Sequence, residues 1–211
     1  DTTVQELSDM MVGRHVQLAV DKKPATPGEV VLEVEHMSMK SKLHHKDAVH
    51  DVSFNVREGE IVCIAGIEGN GQTEFVHGLT GLDKLESGTI KLCGEDITHA
   101  SIRHRNTHGM SHIPEDRHKH GLVLDFSLEQ NIVLQRYFEP DFQKGGFIKF
   151  DEVRRYAEDL IDKFDVRSGQ GAITRARSMS GGNQQKAIVA REMEREHLSL
   201  IHISEPTRPL Y

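Results

Sequence analysis

Eight consecutive residues, Gly66-Ile67-Glu68-Gly69-Asn70-Gly71-Gln72-Thr73, have the composition of a turn that wraps a phosphate. In a loop of the form GxxxxGK[ST], glycines let backbone N–H groups converge on phosphate oxygens at a helix N-terminus. The lysine adds charge, and the Ser/Thr hydroxyl ligates magnesium. Gly66, Gly69, Gly71 and Thr73 fit that form, Asn70 lies within it, and Gln72 stands where the lysine belongs. Losing the cation forfeits a charge-assisted bond of about 1.5 to 3 kcal/mol and the main counter-charge to a phosphate transition state. Glu68 and Glu74 add negative charge nearby. The loop therefore predicts phosphate-binding geometry with weakened catalytic electrostatics. Taken alone, a purely structural Gly-rich turn is the other reading.

A second constellation lies further on. Ser178-Met179-Ser180-Gly181-Gly182-Asn183-Gln184-Gln185-Lys186 leads into Ala187-Ile188-Val189-Ala190-Arg191, which predicts a helix with Ser180, Gly181 and Gly182 at its N-terminus and Asn183 and Gln184 in its first turn. Such an end offers free N–H groups, a positive dipole and a hydroxyl, a natural seat for a terminal phosphate. A mere N-cap is the alternative. The fourteen histidines include a crowd at His104, His108, His112, His118 and His120. With no HExxH or Cys companion set at ligand spacing, they read as surface or loop imidazoles rather than a metal site. Cys63 and Cys93 lie in separate short apolar runs, which predicts buried, reduced thiols and a reducing compartment.

The elements needed to position these residues are legible around them. Val30 to Val34 and the alternating Val52, Phe54 and Val56 read as strands, followed by a turn at Glu58-Gly59-Glu60 and an apolar strand Ile61 to Ala65 buried on both faces. A helix should start after the glycine loop, near Glu74. Ser87-Gly88 turns into a strand Thr89 to Cys93, and Ser127 with Gln130 forms a capping box for a helix through Leu134. Val153, Tyr156, Ala157, Leu160, Ile161 and Phe164 mark an amphipathic helix opened by Asp151. Alternating strands and helices make an α/β protein. With 211 residues, 36% apolar and a net charge of -7, the chain has room for a core but lacks the basic surplus of a nucleic-acid binder. It has no apolar run near the roughly 18 residues of a membrane helix.

The glycine loop and the Ser180-Gly181-Gly182-Asn183-Gln184 segment together resemble the nucleotide-binding domain of ABC transporters. With His112-Ile113-Pro114-Glu115-Asp116-Arg117, Gly121-Leu122-Val123-Leu124-Asp125-Phe126 and Lys144-Gly145-Gly146-Phe147, they are similar to the second such domain in the tandem ATPase subunits of bacterial simple-sugar and nucleoside importers, the nucleoside branch being nearer. The fold this implies is a P-loop NTPase-like cassette, incomplete at the C-terminus. The implied organisation has residues 1–15 as the tail of a preceding nucleotide-binding domain, 16–29 as a linker, 30–197 as the truncated second domain, and 198–211 as a non-native tail.

The resemblance also implies a mechanism. ATP and Mg2+ would lie between the phosphate loop of one domain and the signature of its neighbour. The loop with Gln72 would bind nucleotide but hydrolyse it poorly, while Ser180, Gly181 and Gly182 would complete the competent site on the preceding domain. Thr73 and Glu115, the latter where the family has a glutamine, would face magnesium. The family's adenine-stacking aromatic is missing from His36 to Lys40. Partners would be the preceding domain, permease subunits touching Glu115 to Gln135 and, indirectly, a substrate-binding protein, with no nucleic acid. The location would be the cytoplasmic face of the bacterial plasma membrane. A nucleotide-sensing module without hydrolysis, or a soluble non-transport ABC protein, are the alternatives.

Leu198 to Arg208 resembles the translation of a transposase sequencing adapter. On that reading the natural sequence departs near Glu196 and no catalytic carboxylate is present. If the tail is native, Glu205 stands close to the family's catalytic glutamate. The start at Asp1 without Met likewise predicts a fragment or processed product, inactive as an ATPase on its own.

Overall fold

The structure, a computed structural model, describes residues 2–13, 24–41, 47–67, 69–195 and 199–202. Helix α1 (Val4–Val12) is opened by a capping box in which Thr3 Oγ1 accepts from Glu6 N while Thr3 N donates to the Glu6 carboxylate, and Gly13 closes it in the left-handed region. Apolar alternation then produces two long strands, β1 (Val30–Lys40) and β2 (Asp47–Arg57). After the glycine loop come α2 (Gln72–Thr80), β3 (Ser87–Leu92), β4 (Glu95–Asp96), α3 (Ile102–Thr107) and β5 (Met110–Ile113). A π-helical turn at Arg117–Gly121 leads to α4 (Leu128–Ile132), and the short hairpin β6 (Gln143–Lys144) and β7 (Phe147–Ile148) precedes α5 (Phe150–Lys163). The last elements are α6 (Gly181–Met193) and β8 (Ser199–His202).

Two layers result. An antiparallel four-stranded sheet in the order β2-β1-β3-β4 buries Leu32, Val34, Met37, Met39, Ile90 and Leu92. Helix α2 covers it with Phe75, Val76 and Leu79, and Gly78 faces Met37 and Met39 so closely that a Cβ there would collide with their side chains. The second layer is helical: Leu128 and Ile132 of α4, Val153, Ala157 and Leu160 of α5, and Ala187 and Ala190 of α6 share one core. A Leu160→Ala cavity there would cost about 2 to 5 kcal/mol. Strand β5 joins the layers. Its Met110 belongs to the sheet core, while its Ile113 packs with Leu122, Ala176 and Ile188.

Arg105, only 2% exposed, ties the end of α2 to this junction. It donates to the carbonyls of Leu79 at 2.9 Å, Thr98 at 3.0 Å and Ala100 at 3.3 Å. These bonds satisfy carbonyls that a helix end and a turn otherwise leave without partners.

Several expectations need correction. Ile61 to Ala65 is not a strand and pairs with none among the described residues; Ile61 is 88% exposed and Ile64 53%. A strand apolar on both faces needs hydrogen-bonded neighbours on both edges, and the described parallel pairing is limited to β5 with β8. Both cysteines are exposed rather than buried. Cys63 follows its segment out of the core, and Cys93 occupies the tight β3–β4 turn with Gly94, both at positive φ. The amphipathic helix starts at Phe150, with Lys149 at the N-cap position and no side chain capping it, so Asp151 sits in its first turn rather than opening it. The Ser127–Gln130 capping box forms as the spacing predicts, but its helix stops at Ile132. Ser199–His202 pairs in parallel with Met110–Ile113. Residues 203–211 lie outside the described part of the chain.

Candidate functional site

The glycine loop is built to leave a helix end open. Gly71 is the N-cap of α2 at φ 90, in the left-handed region, and no side chain caps the helix. A Cβ on Gly71 would collide with the Ala48 carbonyl oxygen, so the turn admits only glycine. Asn70 N donates to Ile67 O at 3.1 Å and Phe75 N to Gly71 O at 2.8 Å, which closes the turn and starts the helical ladder. The intervening amides of Gln72, Thr73 and Glu74 are the first-turn donors that a helix cannot satisfy itself. Gly69 and Asn70 are exposed, and Glu74 is half-buried. An anion fits this end through the dipole and the free N–H groups together.

Gln72 does not reach outward. Its amide nitrogen lies where a Cβ on Gly66 would stand, so the side chain folds back across the loop. Thr73 Oγ1 donates to Glu115 Oε2 at 3.4 Å, bringing together the two residues expected to face magnesium. A hydroxyl and a carboxylate are hard oxygen donors, the chemistry a magnesium ion takes. Glu68 lies outside the described residues, as does Glu205.

The second constellation forms the predicted helix. Ser180, in extended backbone, is the N-cap of α6, and its Oγ accepts from Asn183 N at 3.4 Å and Asn183 Nδ2 at 2.9 Å. Asn183 in turn accepts from Arg167 N at 2.9 Å. Gly181 and Gly182 present the first-turn amides. Gln184 is turned inward: it is 4% exposed, donates to Ala176 O at 2.8 Å and accepts from His118 Nε2 at 2.9 Å.

The structure adds Arg117, which sequence reasoning passed over. Its guanidinium comes within 3.0 Å of where a Gly181 Cβ would stand, and its Nε is buried without a hydrogen-bond partner among the described residues. The signal was available in the run His112 to Arg117, but nothing local says that its basic end folds over α6. Asp116 caps the π-helical turn by accepting from His118 N at 2.9 Å and Lys119 N at 3.0 Å. Those backbone bonds, the one from Lys119 foremost, hold its carboxyl below the usual range. One short segment thus touches the glycine loop through Glu115 and α6 through Arg117 and His118.

The ABC transporter family model matches residues 49–208, about three quarters of the chain. The chain belongs to the ABC transporter family. Among curated relatives, the nucleoside import ATP-binding protein NupA of Lactococcus lactis subsp. cremoris is 46% identical over 210 residues, covering 100% of this chain and 41% of that protein. The guanosine import ATP-binding protein NupO of Bacillus subtilis is 44% identical, again over 100% of this chain and 41% of its own length. The ribose import ATP-binding protein RbsA of Lactococcus lactis subsp. lactis is 36% identical, over 99% of this chain and 40% of its own. The chain spans about two fifths of the length of these relatives. Among solved structures, the dimeric post-hydrolysis state of the ATP-binding cassette MJ0796, bound to ADP and Pi, aligns with a TM-score of 0.65 at 17% identity, over 81% of this chain and 72% of that one. At that identity the likeness shows the cassette fold, the fold class the motifs implied.

Proposed function

We propose that this ABC-family chain is part of the ATP-binding subunit of an importer for nucleosides or simple sugars, as the names of its relatives describe those proteins. The observation that carries the reading is the uncapped N-terminus of α2, held open by Gly71 in a turn that only glycine fits. ATP bound with Mg2+ supplies the hydrolysable phosphoanhydride. In this proposal the residues around it bind and orient rather than react. The first-turn amides of α2 hold phosphate oxygens, and Thr73 and Glu115 supply oxygens toward the metal. Gln72 contributes no charge, so this site holds nucleotide with little turnover. Ser180, Gly181 and Gly182, with Arg117 above them, face the nucleotide of a neighbouring cassette, and that site turns over. The proposal includes a preceding cassette, of which residues 1–15 are the tail, and permease and substrate-binding partners. It also places the assembly at the cytoplasmic face of the membrane. In this proposal attachment runs through the permease; no helix among the described residues is long and apolar enough to cross a membrane.

A second reading, a nucleotide-sensing module without hydrolysis, is favoured by the folded-back, uncharged Gln72. One experiment tests the shared part and separates the two. Equilibrium binding of a fluorescent ATP analogue is measured on the chain with Mg2+, alongside phosphate release, before and after adding the preceding cassette of its relatives. The importer reading expects saturable binding without release alone, loss of binding in Gly71→Val, and release only once the second cassette is present. Binding with no release in either state favours the sensing module. No binding at all sinks both.

A further inference from the structure

Away from the phosphate loop, the fold gathers three metal-ligating side chains that the sequence separates. Glu95 lies on β4, His104 in the last turn of α3, and His108 at the cap of that helix. Their ligand atoms all lie within 4.8 Å of one another. We infer that Glu95, His104 and His108 form an exchangeable surface site for a late first-row divalent ion of the Zn2+ type.

The chemistry of the donor set selects the ion. Two imidazoles and one carboxylate suit zinc and its neighbours, whereas calcium and magnesium take oxygen sets. Histidines four residues apart share one helix face, and the backbone continues helically to His108, whose N–H bonds to His104 O at 3.0 Å. His108 Nδ1 donates to that same carbonyl at 2.7 Å, which fixes the tautomer and leaves the lone pair on Nε2. His104 Nε2 lies 2.8 Å from Glu95 Oε1, the position of a proton that a metal would displace. A tetrahedral ion with bonds of about 2.0 to 2.2 Å needs ligand atoms roughly 3.5 Å apart, so the His104–Glu95 pair must open slightly from 2.8 Å, while no separation in the cluster exceeds 4.8 Å.

A second observation points the same way. An open groove of about 570 Å³ beside the cluster is lined by Glu95, Asp96, His99, Ala100, Ser101 and His104. It leaves room for water in the open coordination position and places a further imidazole and carboxylate, His99 and Asp96, at its wall. The two helix imidazoles are stacked, with centroids 3.8 Å apart and planes at 21°. One ring must therefore turn about its Cβ–Cγ bond to aim at a shared ion, which makes the site exchangeable rather than a closed structural centre. The competing account is mechanical: the His104–Glu95 pair, at side-chain exposures of 37% and 50%, simply ties α3 to the β3–β4 hairpin.

Metal titration of the whole chain separates the two accounts. Zn2+ binding is followed by calorimetry and Co2+ binding by its visible absorption. The unsubstituted chain is expected to take up one equivalent at a site that His104→Ala, His108→Ala and the near-isosteric Glu95→Gln each weaken by at least about tenfold. His36→Ala, which removes an exposed imidazole paired with Asp51 on the sheet, is expected to leave that site unchanged. Because a substitution could disturb the hairpin, diethylpyrocarbonate labelling of the unsubstituted chain is mapped by peptide mass with and without Zn2+. Protection confined to His104 and His108 supports the site. Absence of binding, affinities equal across the three variants and the parent, or unprotected His104 and His108 at saturating Zn2+ would each overturn it.

Discussion

Helix α6 carries the Ser-Gly-Gly end, and a buried ion pair near its other end sets where that end points. Arg191 is 3% exposed and Glu192 is 0% exposed. Arg191 Nε donates to Glu192 Oε1 at 2.9 Å, and its Nη1 donates to Gly121 O at 2.9 Å and Asn131 O at 3.3 Å. Glu192 also accepts from Gln135 Nε2 at 2.9 Å and His112 N at 3.4 Å. The pair thus ties α6 to β5, to α4 and to the π-helical turn that bears Arg117. Arg191→Met keeps most of the apolar stem but strands a carboxylate in the interior. Removing one partner of a buried pair costs about 3 to 5 kcal/mol, a fifth or more of the roughly 5 to 15 kcal/mol that holds a domain folded. Adding Glu192→Gln removes the stranded charge. The double variant is therefore expected to cost less than the sum of the two single changes by at least about 1 kcal/mol. Urea unfolding of the four proteins, followed by circular dichroism at low temperature, measures the cycle. Additive costs, or an Arg191→Met cost below about 1 kcal/mol, would refute the view that this charge pair anchors the helix.

Other outcomes follow from the same geometry. Gln72→Lys restores a cation at the loop; a screened charge-assisted bond of about 1.5 kcal/mol is expected to tighten ATP-analogue binding about tenfold, with the gain shrinking as salt rises, and an unchanged or weaker affinity would count against the phosphate seat. Asn131, 1% exposed, accepts from Val123 N at 2.8 Å and donates to the carbonyls of Val123 and Ser127 at 3.0 Å each; Asn131→Ala is expected to cost about 2 kcal/mol or more by orphaning these groups, read from the unfolding midpoint. Partial desolvation, followed by the neighbouring His77, pushes His120 below its ordinary value, against the opposing pull of Asp116 and Asp83. The unfolded chain therefore binds the proton more readily, so this contribution is complete above about pH 6.5 and is lost as pH falls through the lower folded value. Urea midpoints measured from about pH 7.5 to pH 5 should fall less steeply in His120→Gln than in the parent, and parallel curves would exclude His120 as a source.

Much of the local structure was legible because it depends on contacts within a turn or two. The Ser127–Gln130 box and the Ser180 cap are satisfied by neighbours in sequence, and the glycine turn before α2 closes on its own backbone through Asn70 N and Ile67 O. The sheet strands around Val30 to Val34 and Val52 to Val56 followed from alternation, since one face meets the core and the other water. Where burial was inferred from apolar content alone, the reading failed. Ile61 to Ala65 has the sequence of a central strand, yet that state requires partners on both edges, and strand identity cannot reside in the segment itself. Cys93 went wrong for a different reason: a two-residue turn with positive φ throws its side chain outward despite an apolar run before it.

The candidate site divides along the same line. Residue types and spacing determined that this chain carries an open, glycine-built helix end without its lysine, and a second, serine-capped helix end about a hundred residues later, because both are properties of short contiguous segments. Only the tertiary structure decided that Thr73 meets Glu115, that Arg117 folds over Gly181, that Gln184 turns inward, and that Glu95 joins His104 and His108. Those meetings depend on how the sheet and helical layers pack. Packing is set by the summed burial of many side chains and is not encoded at the few positions where the chemistry sits.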